Sequence, residues 1–122
     1  MGNFRQLRIW QLAKELAVKI YKLTAYAPFS KDFGLKDQIQ RSAVSVPSNI
    51  AEGDESGTNK ASVRYFYTAK GSIAELQTQL IIASEIGYIE KTVMESLMDD
   101  CNKISIMLSK IIKVRLSNKT IP

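Results

Sequence analysis

An all-α fold, arranged as an antiparallel up-down-up-down four-helix bundle, is predicted by three features of this 122-residue chain. Apolar residues recur at steps of three and four through four long segments, the spacing that gathers them on one helix face. Only three prolines and six glycines interrupt the chain, so helices can run far. No stretch of useful length alternates apolar and polar residues as a half-buried strand would. The length suits a single domain over residues 1–122, and 45% apolar against 24% charged residues is the balance of a chain that folds.

The first helix is predicted from Phe4 to Ala27, with Ile9, Ala13, Leu16, Ile20, Leu23 and Ala27 on one face. A second stripe, Trp10, Ala17, Tyr21 and Thr24, widens its apolar surface, while Arg8, Gln11, Glu15, Lys19 and Lys22 stay polar. Residues 27–34, with Pro28 and Gly34, read as a connection. Leu35, Ile39, Ser42 or Ala43, Val46 and Ile50 then keep helical phase across Pro47, which predicts one helix kinked at that proline. From Glu52 to Lys60 two glycines and several capping residues predict a loop, with Thr58 or Asn59 as the next N-cap.

Helix three carries Phe66, Ala69, Ile73, Leu76, Leu80 and Ala83, and Gly87 closes it. Gly71 lies inside it and costs ~1 kcal/mol relative to alanine, which suggests close approach by another helix. Helix four runs from about Glu90 to Leu116, with Leu97, Cys101, Ile104, Leu108 and Ile111 on its core face and a frayed tail beyond. Such a bundle is about 35 to 40 Å long.

Absent residue types narrow the function. There is no histidine and one cysteine, Cys101, so zinc, haem and histidine-based catalysis are disfavoured, no cofactor or metal is implied, and an internal disulfide is impossible. The opening residues lack the apolar run of a secretory signal and no segment of eighteen apolar residues occurs, so the expectation is a cytoplasmic protein that does not span a membrane.

Two constellations stand out. On helix two, Gln38, Arg41, Ser45, Ser48, Asn49 and Glu52 share a polar stripe, and helix three offers Thr68, Ser72, Glu75 and Gln79. Catalysis there needs a nucleophile beside a base, and Glu52 and Glu75 are the only bases at hand. The simpler reading is a structural or interfacial network in which Arg41 pairs with a carboxylate, Glu75 being geometrically natural, and Asn49 or the serines satisfy backbone groups freed at Pro47. Tyr65, Phe66 and Tyr67 could stack on bases, although packing is the commoner use of such clusters.

The second constellation is electrostatic. Net charge is +5, yet residues 1–14 (Arg5, Arg8, Lys14) and 101–122 (Lys103, Lys110, Lys113, Arg115, Lys119) hold eight basic and no acidic residues, leaving −3 for the middle of the chain. An up-down bundle brings both stretches to one end, a surface for phosphates. The same topology brings Glu52, Asp54 and Glu55 there, where they would neutralise it.

The string Leu35-Lys-Asp-Gln-Ile-Gln-Arg-Ser-Ala-Val-Ser-Val-Pro-Ser-Asn-Ile-Ala-Glu-Gly53, together with Gly71-Ser-Ile-Ala-Glu-Leu-Gln-Thr-Gln-Leu80, resembles the bacterial four-helix bundle proteins related to those encoded in intervening sequences of large-subunit ribosomal RNA genes. The resemblance covers nearly the whole chain. It implies a homo-oligomer, typically a pentameric ring, with no established enzymatic activity. A more distant branch that is similar in fold, the accessory variability protein of diversity-generating retroelements, works with a reverse transcriptase and nucleic acid. An oligomer also suits the two apolar stripes of helix one and the additional apolar residues Ile106, Ile112 and Val114 on helix four.

The leading expectation is thus a non-enzymatic, oligomeric protein that binds RNA or DNA, with Arg5, Arg8, Lys110, Lys113 and Arg115 as phosphate contacts. The alternative is a protein-interaction scaffold that uses Arg41, Ser45, Ser48, Asn49, Glu52 and Glu75 and the aromatics of helix three at its subunit interface.

Overall fold

A computed structural model describes residues 3–117, and the tail expected to fray lies, from residue 118 on, outside them, as does Lys119. The described residues form four α-helices, α1 (Arg8–Leu23), α2 (Phe33–Glu55), α3 (Asn59–Glu85) and α4 (Lys91–Ser117), with short 3-10 turns at Phe4–Gln6 and Phe29–Lys31 and no strand.

The apolar stripes become the core as their spacing requires. Ile9, Ala13, Leu16 and Ile20 of α1, Ile39, Ala43, Val46 and Ile50 of α2, Phe66, Ile73, Leu76 and Leu80 of α3, and Leu97, Cys101, Ile104 and Leu108 of α4 are buried in one cluster. Residues that meet across neighbouring helices fall in opposing order, the mark of antiparallel pairs. Ser45 meets Ser72 and Gly53 meets Ser62 between α2 and α3; Lys70 meets Ser109 and Gln77 meets Asn102 between α3 and α4.

Element ends depart from expectation where tertiary packing outweighs local signals. The first helix starts at Arg8, because Phe4–Gln6 form a 3-10 turn. It stops at Leu23, where the Thr24 hydroxyl turns back to donate to the Ile20 carbonyl (2.9 Å), and Ala27 is exposed. The following connection contributes to the core, since Phe29 is buried there with its ring tilted against Tyr88. Asp32 caps α2 by accepting from the Leu35 amide (3.1 Å) and the Tyr88 hydroxyl (2.9 Å); these bonds hold its carboxyl below the usual range.

α2 passes through Pro47 as one helix and continues to Glu55, so the connection to α3 is only residues 56–58, shorter than the loop expected from Glu52 to Lys60. Gly53 is the reason its last turn packs at all. A Cβ there would sit 2.5 Å from the buried Phe66 ring, so the helix can continue along α3 only with glycine at this position. The Ser62 hydroxyl donates to the Gly53 carbonyl (2.7 Å), and Thr58 caps α3 by accepting from the Ala61 amide (3.1 Å).

Two expectations are corrected further along. Gly71 faces open space, with nothing within 4 Å of a built Cβ, so no neighbouring helix makes use of it. On α4, Ile112 is buried and Ile111 only half-buried; adjacent isoleucines leave the phase of the stripe open, and packing selects the second. Gly87, at φ +84°, ends the α3 segment as a glycine stop should.

Candidate nucleic-acid interface

One end of the bundle gathers the turn at Phe4–Gln6, the α2–α3 connection and the last turns of α4. Arg5 and Arg8 are exposed there, Arg5 with its guanidinium 5.6 Å from the Phe4 ring centre, and Lys110 and Lys113 are exposed on α4.

Arg115 is built in differently. Its side chain is 25% exposed, lies 5.5 Å over the Phe66 ring, donates to the Ser62 hydroxyl (3.1 Å) and faces the buried Asp54 carboxylate at 3.6 Å. It clamps α4 to the α2–α3 connection, and so differs from its four exposed companions. The neutralisation anticipated from Glu52, Asp54 and Glu55 falls on this one arginine through Asp54, while Glu52 and Glu55 stay exposed.

Three basic residues escaped the reading by chain segment. Gln77 meets Asn102, Lys70 meets Ser109 and Ser62 meets Arg115, so the antiparallel packing lays residues 59–74 of α3 along residues 105–117 of α4. These two stretches hold Lys60, Arg64, Lys70, Lys110, Lys113 and Arg115, and no acidic residue. The signal was present in the sequence, but only counting charge per paired helix reveals it. Among the described residues the ion pairs are Lys19–Asp100, Arg41–Asp37 and Arg115–Asp54, so the other five cations of this face have no carboxylate partner there. The Lys70 ammonium instead spans the groove to donate to the Ser109 hydroxyl (2.7 Å). Above it, the aromatic cluster divides, with Phe66 in the core and Tyr65 and Tyr67 exposed.

The α2 stripe is resolved into separate parts. Ser45 and Ser72 share a hydrogen bond at 2.7 Å, and the Asn49 amide donates to the Ser45 carbonyl (2.8 Å) and hydroxyl (3.0 Å). Ser48 is exposed. Arg41 pairs with Asp37, one turn earlier on α2 (3.0 Å), and not with Glu75, although both line a cavity of about 310 Å³ with Gln38, Ser42, Ser45 and Gln79. The Gln79 side-chain amide oxygen, Oε1, is buried there without a hydrogen-bond partner among the described residues. Among the described residues no carboxylate is hydrogen-bonded to the serine pair, and burial pushes the Cys101 thiol up to about 12, far from a reactive thiolate. Among the described residues no cluster of metal-ligating side chains occurs, and no helix is long and apolar enough to cross a membrane.

The opposite side of the molecule has an apolar groove of about 630 Å³ between α1 and α4, lined by Leu23, Tyr26, Val93 and Leu97 with Lys19, Lys22, Thr92 and Ser96.

Residues 5–110 match the family model described as 23S rRNA-intervening sequence protein. The chain is similar to a crystal structure from Bacteroides thetaiotaomicron VPI-5482, described as a protein with unknown function from the S23 ribosomal protein family. The two are 27% identical with a TM-score of 0.79, over 86% of this chain and 98% of that one. No curated protein matches.

Proposed function

Because this chain belongs to the 23S rRNA-intervening sequence protein family, we propose that it is a non-enzymatic, oligomeric protein of the cytoplasm that binds RNA or DNA through the basic end of its bundle. The observation that carries this reading is the acid-free pairing of α3 residues 59–74 with α4 residues 105–117, flanked by Arg5 and Arg8. Cations without carboxylate partners keep their charge for phosphates, and each phosphate neutralised releases counterions, which makes binding salt-dependent. Arg5, Arg8, Lys110 and Lys113 are the phosphate contacts. Arg115 serves the fold.

The test is an anisotropy titration against labelled single-stranded RNA and duplex DNA at several salt concentrations. Replacing Arg5, Arg8, Lys110 and Lys113 together by glutamine should weaken binding and lower the log–log salt slope by about 3 for single strands, with helicity unchanged. Binding and slope that do not move would end the proposal.

The exposed apolar groove between α1 and α4 favours a second reading, self-association into a scaffold, with a pentamer as the expected assembly. Light scattering behind size exclusion measures it directly, and a monomer at all concentrations would remove it.

A further inference from the structure

We propose that the site selects single-stranded over duplex nucleic acid, with one unpaired base stacked on Tyr67 in the groove between α3 and α4; this rests on the nucleic-acid reading above. A cavity of about 230 Å³ opens in that groove, lined by Tyr67, Lys70, Ser109, Ile112, Lys113 and Leu116. Its parts differ in chemistry. Tyr67 is 55% exposed, Ile112 supplies an apolar floor, and Lys70 and Lys113 stand on opposite helices as the two cationic walls.

A flat apolar ligand that carries negative charge on both flanks satisfies all of these together. An unpaired nucleotide has that form, a π-face between two phosphates, and base-on-aromatic stacking accepts any base. Charge complementarity favours this occupant, since neither paired stretch contains an acidic residue and Lys70 and Lys113 have no carboxylate partner among the described residues. A duplex keeps its bases stacked on one another and offers only phosphates, so it meets the lysines without the tyrosine.

The experiment compares the full chain with Tyr67→Ala and Tyr67→Phe on a short labelled single-stranded RNA and on the duplex made from it, over a salt series. Tyr67→Ala should weaken single-strand binding about ten-fold at unchanged salt slope, leave duplex binding alone, and be rescued by Tyr67→Phe, which keeps the ring. Equal losses on both ligands, or none on the single strand, would overturn the stacking site. If the stacking site falls while neutralising Arg5, Arg8, Lys110 and Lys113 still weakens binding, the phosphate reading survives alone; no nucleic-acid binding by the unmodified chain removes both. A second measurement needs no variant. Photocrosslinking of 5-iodouridine RNA to the unmodified chain should map to the peptide containing Tyr67, and a crosslink confined to the α1–α4 side would count against it.

Discussion

Where α2 meets α3, small residues bring the backbones together: Gly53 lies against the Phe66 ring, Ser62 bonds the Gly53 carbonyl, and Ser45 bonds Ser72. Where α1 meets α4, larger side chains such as Leu23, Tyr26 and Leu97 line a groove of about 630 Å³, and a solvent-exposed pair, Lys19 with Asp100 at 2.9 Å, bridges the helices. The same bundle therefore has one seam drawn tight from Ser45 to Gly53 and one that tolerates change. Side-chain size at the contact sets which is which, because a glycine or serine permits an approach that leucine and tyrosine forbid.

The largest blow to this contrast comes from Gly53→Ala. Its Cβ would meet a ring with no room to move, and overpacking of that kind costs about 2 to 3 kcal/mol even after the better helix propensity of alanine is credited. Urea unfolding measures it, and Phe66→Leu in the same chain should recover part of the loss by making room. Next is Arg115→Ala, which leaves the buried Asp54 carboxylate, whose Oδ2 already lacks a hydrogen-bond partner among the described residues, without its cation, at a cost of about 1 to 2 kcal/mol. Adding Asp54→Asn should return some of that stability, and a purely additive double variant would mean that the two side chains do not interact. Smallest is Lys19→Ala on the loose seam, expected within about 0.5 kcal/mol and smaller still at high salt. A loss there as large as that of Gly53→Ala would dissolve the distinction between the seams.

The four helices and most of their buried faces were legible because an amphipathic period is a local property, repeated until it is unambiguous. Their ends were not. Gly53 and Asp54 look like turn residues to any local rule, and only the Phe66 ring and Arg115, both distant in sequence, explain why a helix continues through them. Phe29 was passed over because a single apolar residue in a short connection has no periodicity to announce it. For the same reason Ile111 and Ile112 could not be ranked before their neighbours were known.

The candidate interface was half legible. Arg5, Arg8, Lys110 and Lys113 were found as a charge segregation along the chain and are exposed at one end, but Arg115 looked like one more cation until its carboxylate appeared opposite. Lys60, Arg64 and Lys70 were diluted by the acidic residues around them in sequence. Arg41 and Glu75 reached one cavity as the stripe suggested, yet Asp37, a single turn away, took the arginine.

The three-residue connection between α2 and α3 also bears on the order in which the chain folds. Gly53 and Ser62 bond across only nine residues, whereas Lys19 and Asp100 are separated by 81. Closing the short loop costs little chain entropy, so the α2–α3 hairpin is the natural nucleus, and docking of α1 onto α4 is the late event that completes the native topology. A perturbation of the hairpin should accordingly slow folding, and one at the α1–α4 groove should mainly speed unfolding.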